Sequence, residues 1–338
     1  MRVALPFVVL LLQQVPSQAQ LQVFTLEHNT TSSIYTNLDS AIANSVNGDM
    51  ITLPGGLITF SGTIRKGITL VGAGFFPDST VATSQTIITN VVNIKGGASN
   101  ASLNGIHFQS TVTIDSCTNV LISRCRMAYS LSNSISMTNS QGIVINGCVM
   151  NGFTTSTATS GIVVQNTLIY GLITCLSGST SFLNNIFFAP SYNNSGLFYN
   201  GSSYVTNCIF TNNIIYSSVQ LSAFSSNNYY NNIFTSSVNN QQTAIFQNNK
   251  FNYSLGSLLA NVASLATYSN TDNFHLAPGS VAIGAGLGGT DCGIYGGSTP
   301  WKEGALPYNP HIHSATVPGV TDQNGNLNVI FKVSAQDN

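Results

Sequence analysis

Ionisable side chains gather in one short part of the sequence, between residues 95 and 126. Lys95 and Asp115 end two similar segments, Val-Asn-Ile-Lys and Val-Thr-Ile-Asp, and a second alignment places His107 beside Arg126. If these segments stack as neighbouring strands, the four side chains and Arg124 form one polar patch. Such a patch contains groups that can bind an anion or exchange a proton. The plainer interpretation is a salt bridge with exposed charges around it, which contributes little stability.

The centre of the chain offers almost no acid–base chemistry. From Met127 to Asn249 the sequence contains no Asp, Glu, Lys, Arg or His. Glycoside hydrolysis by the usual route needs two positioned carboxylates, and calcium sites usually include carboxylates, so both are disfavoured there. His311 and His313 would share one face of a strand, which leaves open a weak metal site or ordinary surface residues. We expect no cofactor and no metal.

Tyrosines lie in this uncharged stretch and could contact a ligand. An aromatic ring with a hydroxyl group suits a wet binding surface, although the same rings can fill the interior of a fold. Both roles remain open for Tyr192, Tyr199, Tyr204 and Tyr216. Asp115 is the further candidate ligand-binding residue, whereas Lys95, His107, Arg124 and Arg126 are the candidates for an alternative, catalytic role.

A short pattern, seen in Leu-Asn-Gly-Ile and Ile-Asn-Gly-Cys, recurs at intervals of 16 to 25 residues. A period near 20 residues with strand-like segments predicts a solenoid in which each coil adds one strand. Asparagine is frequent in the pattern because it tolerates the left-handed bend between strands and can bond to its copy in the next coil. The asparagines therefore predict an internal turn ladder or, alternatively, a glycan- or ice-binding face.

The two ends differ from the repeats. Residues 1–19 read as a signal peptide cleaved near Ala19, so we expect a secreted or cell-surface protein. Residues 20–300 are predicted to form the solenoid, with a helix at about 37–47 closing its N-terminal end. Residues 301–338 are predicted to form a β-hairpin tail that packs on the solenoid. No run of apolar residues is long enough to span a membrane.

Composition limits the partners. The 338 residues are 43% hydrophobic, only 6% are charged, and the formal net charge is −1. This balance gives no electrostatic reason to expect nucleic acid, and we expect a monomer. The six cysteines lack the close pairs of a zinc site, and most fall at inward positions. We expect buried free thiols, with Cys125 and Cys148 as the best candidate disulfide.

Motifs at both ends resemble a known superfamily. The opening contains Gly-Asp-Met-Ile-Thr-Leu-Pro-Gly-Gly and Gly-Ile-Thr-Leu-Val-Gly-Ala-Gly, and the later motif His-Leu-Ala-Pro-Gly-Ser-Val-Ala-Ile-Gly-Ala-Gly begins at His275. These motifs resemble pectin-lyase-like right-handed parallel β-helix proteins, including secreted bacterial members, over roughly residues 35 to 298. The resemblance implies an all-β, single-stranded right-handed parallel β-helix with an N-terminal helical cap and a short C-terminal hairpin. It says little about activity, because the superfamily includes lyases, hydrolases, binding proteins and structural proteins.

Three functions follow from these observations. We favour an exported, non-catalytic protein that binds polysaccharide or acts at the cell surface. Lyases of the resembled superfamily can use Lys or Arg to remove a proton beside a uronate carboxylate, so the alternative is a polysaccharide lyase that uses Lys95, His107, Arg124 and Arg126. A carboxylate beside Lys95 would hold that lysine in its protonated form, which is unfavourable for a base. The third possibility is a structural spacer or adhesin shaft.

Overall fold

The chain folds as an all-β, single-stranded right-handed parallel β-helix, as the repeats predict. The computed structural model describes residues 22–60, 62–127, 134–171, 173–175, 179–188, 199–200, 203–205, 207–217, 221–223, 226–240, 244–263, 267–307 and 310–334. Within these residues, three parallel sheets of twelve, nine and six strands run along the stack. Only the strands before residue 36 join the longest sheet in antiparallel fashion.

Each coil contributes at most one strand to each sheet. In order along the stack, the first sheet contains Thr31–Tyr35, Phe24–His28, Met50–Thr52, Thr69–Val71, Ser102–Asn104, Leu121–Ser123, Val144–Asn146, Ile162–Gln165, Thr180–Leu183, Ile209–Thr211, Asn228–Tyr230 and Ile245–Gln247. The second contains Gly56–Ile58, Thr86–Ile88, His107–Phe108, Arg126–Met127, Val149–Met150, Leu168–Ile169, Ile186–Phe188, Ile214–Tyr216 and Ile233–Phe234. The third contains Thr63–Ile64, Val92–Lys95, Val112–Asp115, Ile135–Thr138, Phe153–Thr155 and Ile173–Thr174.

Shorter elements complete the described structure. Antiparallel pairs join Tyr199–Asn200 to Ser203–Tyr204, Leu259–Asn261 to Asn273–Leu276, and His311–Thr316 to Ile330–Ser334, and a parallel pair joins Leu221–Ala223 to Val238–Asn240. The helices are Leu38–Asn44 and Leu255–Leu258, with 3-10 turns at Pro77–Ser79, Leu287–Gly289 and Glu303–Ala305.

Alternation of side chains explains why these segments form strands. In Val112–Asp115 the two apolar residues are buried and the two polar residues are partly exposed. Copies of an inward position stack from coil to coil, because neighbouring parallel strands lie about 4.8 Å apart. In the late coils, one inward column of the first sheet is aromatic. The centroids of its neighbouring rings are 4.7, 4.8 and 4.7 Å apart. The rings belong to Phe182, Phe210, Tyr229 and Phe246.

The internal asparagine ladder is confirmed. At the turn between the first and second sheets, the inner ladder consists of Thr167, Asn185, Asn213, Asn232 and Asn249. Asn213 is typical: its Oδ1 accepts the backbone N–H of Asn185 at 2.8 Å, and its Nδ2 donates to the carbonyl of Phe182 at 2.9 Å and to Asn232 Oδ1 at 2.9 Å. Each amide therefore satisfies backbone groups that the bend would otherwise leave unpaired inside the core.

The residue just before each inner ladder position bends the chain. Its φ is positive in successive coils, a conformation that glycine and asparagine adopt most easily. This outer turn position is occupied by Gly105, Arg124, Gly147, Asn166, Asn184, Asn212, Asn231 and Asn248. Arg124 is the exception in residue type, with a φ of 51°.

A helix and a β-hairpin lie at the N-terminal end of the stack. The helix is shorter than predicted, Leu38–Asn44, because Asn37 caps its start and Lys66 Nζ donates to three carbonyls at its end. Leu38 and Ile42 are buried in the main core. The edge of the first parallel strand is paired by the strand Phe24–His28, which the sequence did not predict.

The C-terminal part divides at residue 307. Residues 301–307 contact the stack through Trp301 and Leu306, which are buried. The hairpin 311–334 is different, because nearly all its described side chains are exposed, including Val320 at 78% and Val333 at 62%. Its two strands pair with each other, with a register shift between Ile312 and Ser314. Packing of the whole tail on the solenoid stays a prediction.

All six cysteines are free and buried, as expected. The candidate pair Cys125 and Cys148 stands on adjacent coils, one position apart in the same column that becomes the asparagine ladder further along. Burial raises the pKa of the Cys125 thiol, so it remains protonated and behaves as a small apolar group.

Candidate functional site

The predicted alignments in the early coils are correct. Lys95 pairs in register with Asp115 on the third sheet, and His107 pairs in register with Arg126 on the second sheet. The two pairs therefore lie on different sheets of the stack. A single patch that combines all the ionisable residues is not what the fold presents, and each pair has its own surroundings.

Lys95 and Asp115 lie on the outward side of the third sheet. The pKa of the Asp115 carboxyl is lowered by hydrogen bonds from the hydroxyls of Ser116 and Thr138, and further by the charge of Lys95. Within the described residues, no contact of 4.0 Å or less joins the lysine ammonium to this carboxylate. Asp115 is thus a charged, hydroxyl-bound surface group.

Arg124 is buried rather than presented to solvent. Its side chain is 5% exposed, and Nη1 donates to the backbone carbonyl of Leu306. The two residues are 182 positions apart in sequence. Arg124 therefore helps to hold a distant segment of the chain against the stack, a role that neither the salt-bridge nor the lyase hypothesis contained.

Arg126 is covered by the ring of Tyr268, and His107 lies beside Arg126 on the neighbouring strand. The Arg126 guanidinium lies 5.2 Å from the centre of that ring, a distance typical of a cation–π contact. Burial, and then the charge of Arg126, lower the pKa of His107 to about 4. His107 is accordingly neutral at pH 7, and its Nδ1 is buried without a hydrogen-bond partner among the described residues.

The candidate tyrosines occupy different settings. Tyr192 lies outside the described residues. Tyr199 and Tyr204 pair across a short antiparallel hairpin. Tyr216 is half-buried on the second sheet, where it packs against the second apolar core. Their role in ligand binding stays a prediction.

A segment to which we assigned no function from the sequence crosses the outer turn positions. We call residues 282–307 the strap. It runs backwards along the stack, and the outer turn residues bind its backbone one after another. In order along the strap, the contacts join Asn231 to Ala285, Asn212 to Leu287, Asn184 to Asp291, Asn166 to Ile294 and Gly296, and Arg124 to Leu306.

Apolar packing supports the strap and the segment before it. The outward residues of the second sheet are apolar from Val149 onwards, and they form a second core with residues from the C-terminal part. This core includes Leu168, Ile186, Ile214, Ile233, Leu258, Leu259, Phe274, Ile294 and Trp301. The same outward column contains His107 and Arg126 in the earlier coils. Arg126 and the neutral His107 thus lie at the end of an otherwise apolar interface.

A cavity of about 220 Å³ opens between the strap and the segment before it. Its aromatic lining comes from four separate parts of the chain. The lining residues are Phe76, Tyr268, Asn270, Asp272, Asn273, Phe274, His275, Tyr295, Trp301, Glu303 and Gly304. Trp301 is the single tryptophan of the sequence. The lining thus combines aromatic rings with carboxylate and amide groups, and a small ligand could contact both kinds.

One wall of the cavity is a polar aromatic cluster. The rings of His275 and Tyr295 stack with centroids 4.1 Å apart. The Tyr295 hydroxyl donates to Glu303 Oε1 at 2.6 Å, and His275 Nε2 lies 3.6 Å from the same oxygen. The His275 and Glu303 side chains remain 55% and 70% exposed. Burial and the Glu303 carboxylate raise the pKa of Tyr295, so its phenol stays neutral.

Another wall of the cavity contains Tyr268, which packs against side chains of the stack. Tyr268 stacks on Phe274 at 6.1 Å and meets Phe75 edge-on at 6.3 Å. Its other ring neighbours are Tyr170, at 6.5 Å, and Arg126. Burial raises the pKa of Tyr268, which is therefore a neutral phenol at ordinary pH. The sequence made Arg126 a candidate catalytic residue. In the structure it packs on Tyr268 and so supports one wall of this cavity.

The Asp272 carboxylate organises the loop that carries Tyr268 and Asn270. It accepts the backbone N–H groups of Ala263 at 2.9 Å and Ser269 at 3.2 Å. Asn270 Oδ1 is buried beside the cavity and has no hydrogen-bond partner among the described residues. A buried acceptor without a donor is costly, and a bound hydroxyl or ammonium group would satisfy it.

Sequence reasoning missed this site because its residues are spread from 76 to 304. One signal was present. After the charge-free stretch, the sequence from 268 to 303 brings back tyrosine, aspartate, histidine and glutamate together with the only tryptophan. Which of these residues meet depends on the path of the strap, and that path has no repeat from which it could be read.

Other kinds of site find little support in the described residues. Among them, no group of three or more His, Cys, Asp or Glu side chains is arranged to hold a metal ion. No helix in the described part of the chain is long and apolar enough to cross a membrane. No protein-family model matches the chain, and no curated protein matches it either.

Proposed function

We propose that the protein binds carbohydrate, without cleaving it, in the cavity between the strap and the loop of Tyr268. The observation that carries this proposal is a cavity of about 220 Å³ whose lining combines aromatic rings with carboxylate and amide groups. Aromatic faces pack against the C–H faces of sugar rings, and carboxylates and amides accept hydrogen bonds from sugar hydroxyls.

The state of the two carboxylates supports binding rather than hydrolysis. Cleavage of a glycosidic bond needs one carboxyl group as an acid and another as a base or nucleophile. Asp272 accepts two backbone N–H groups of its own loop, and Glu303 accepts the Tyr295 hydroxyl. Asp272 is therefore occupied in shaping its loop, and one oxygen of Glu303 is engaged by Tyr295. The lyase alternative has less support, because Arg124 and Arg126 are engaged with the strap and with Tyr268.

The setting that we propose follows from the sequence. The signal peptide that we predict at residues 1–19 supports export, and the resemblance to pectin-lyase-like proteins supports contact with polysaccharide. Low charge is compatible with a surface that meets neutral polymers without electrostatic steering. We place the protein outside the cell or at its surface, where a stiff stack can present the cavity to a glycan.

The single tryptophan allows a direct test. Fluorescence excited selectively at Trp301 should change when oligosaccharides from a panel of neutral and acidic polymers fill the cavity. Replacing Tyr295→Ala should weaken binding about tenfold, because a stacked ring and its hydroxyl are lost.

The matched control is Tyr230→Ala, which removes a half-buried tyrosine from the first sheet, away from the cavity. It should leave the affinity unchanged. Absence of binding to every oligosaccharide in the panel, or equal loss in both variants, would contradict the proposal. Release of unsaturated products from an acidic polymer would favour the lyase alternative instead.

A further inference from the structure

The side chains that line the cavity also indicate which sugars it accepts. Its lining is rich in hydrogen-bond acceptors: the carboxylates of Asp272 and Glu303, and the side-chain oxygens of Asn270 and Asn273. Asn273 Oδ1 is already used, since it faces His275 Nδ1 at 2.9 Å. Glu303 is the acceptor with capacity left, because its side chain is 70% exposed and only one of its oxygens accepts the Tyr295 hydroxyl.

Positive charge is scarce at the same place. No lysine or arginine lines the described part of the cavity. The guanidinium of Arg126 lies over the Tyr268 ring and does not line the cavity. A ligand carboxylate would therefore meet two carboxylates without a fixed cation beside it, and like charges at close range are unfavourable.

Aromatic rings and a carboxylate together favour a cation. The faces of tryptophan and tyrosine attract ammonium groups, and this attraction increases when the cation is shielded from water. Tyr268, Tyr295 and Trp301 line the cavity together with Glu303. The Tyr295 hydroxyl fixes one oxygen of this carboxylate at 2.6 Å. An ammonium group in the cavity could meet aromatic faces and the exposed Glu303 carboxylate.

From this arrangement we propose that the cavity selects sugars that carry a protonated amino group and discriminates against uronates. This inference rests on the proposed carbohydrate binding and deepens it by naming the ligand class. It also argues against the action on uronates that the basic residues of the early coils suggested in the sequence. The ammonium donates to Glu303, while the aromatic walls contact the C–H faces of the sugar ring.

The test uses three oligosaccharide series of equal length, built from glucosamine, from N-acetylglucosamine and from galacturonate. Titration calorimetry of the full chain at pH 6 should rank their affinities in that order. Glu303→Gln keeps the shape of the side chain and removes its charge. It should weaken glucosamine binding about tenfold, because a charge-assisted hydrogen bond is lost, and should change N-acetylglucosamine binding less than about twofold.

The matched control is Glu27→Gln, which removes one carboxylate from the N-terminal hairpin at a residue that does not line the cavity. It should leave all three affinities unchanged. Tightest binding to galacturonate, or equal binding of the two amino-sugar series with no effect of Glu303→Gln, would overturn the inference while leaving carbohydrate binding intact. Absence of binding in all three series would contradict the proposed function itself.

Discussion

The early and late coils place different chemistry at the same turn. In the late coils the inner ladder position holds asparagine, and each amide bonds to the backbone and to the amide of the next coil. In the early coils the position holds Cys125 and Cys148, whose sulfur atoms make long contacts of 3.2–3.6 Å. The same bend is therefore stabilised by strong hydrogen bonds in one half and by apolar burial in the other.

The outward face of the second sheet changes in the opposite direction, from polar in the early coils to apolar in the late coils. The early coils carry His107 and Arg126 on the outward face of the second sheet, whereas the late coils carry isoleucine there. The polar groups of the late coils are inside and satisfied, and those of the early coils are outside and available to support a cavity. We infer that the late coils serve as a scaffold for the strap and that the early coils position the site.

The largest effect should follow from breaking the ladder at Asn213. Asn213→Ala removes the acceptor of the Asn185 N–H and the donor to the Phe182 carbonyl, both of which are buried. Leaving these groups unpaired should lower the free energy of unfolding by about 3 kcal/mol, measured by urea denaturation. Asn261→Ala, at an exposed position, should change it by less than about 0.5 kcal/mol. Similar losses in both variants would contradict the ladder's role.

A smaller effect should follow at the outer turn position, where Asn166 binds the strap. Asn166→Gly keeps the left-handed bend, as Gly147 does one coil earlier, and removes the bonds to Ile294 and Gly296. We expect a loss of about 1–2 kcal/mol and faster proteolysis within the strap. Asn248→Gly is the control.

Asn248 has the same bend but, within the described residues, makes no hydrogen bond to the strap, so Asn248→Gly should leave proteolysis of residues 282–307 unchanged. Equal cleavage of the strap in both variants would show that the bend, and not the two bonds to the strap, determines its stability.

The smallest effect should come from converting an early coil into a late one. In Cys148→Asn the new amide can donate to the Ile122 carbonyl and accept the Cys125 N–H, the groups that the Cys148 sulfur already contacts. We expect the free energy of unfolding to stay within about 1 kcal/mol of the unchanged protein, because new bonds offset the larger side chain. A loss above about 3 kcal/mol in urea denaturation would mean that the two halves are not interchangeable.

Periodic features were the predictable part of this structure. The recurrence of short polar bends gave the solenoid, the alignment of Lys95 with Asp115 and the internal asparagine ladder. The strand-and-bend unit behind these features recurs along the stack, so several copies support its prediction. The helix near residue 40 was also predicted, but its end was not, because the end depends on Lys66, which reaches it from the following coil.

The sequence showed which residue types were present for a site, but not which residues meet to form it. The sequence contained the cations, the tyrosines and the later aromatic residues, but it did not indicate that Tyr268 covers Arg126 or that Leu306 binds Arg124. Tyrosines in the uncharged stretch were selected for their composition, whereas the cavity is lined by Tyr268 and Tyr295 from outside it.

The sequence by itself determined the coil, its period and the chemistry of each bend, because a parallel stack repeats the same local hydrogen-bonding problem every coil. Tertiary structure alone decided the path of the strap. Its contacts join residues 54 to 182 positions apart and have no internal copies. They depend on which apolar outer face remains to be buried, and burial of that face brings Trp301 and Glu303 to the cavity beside Tyr268.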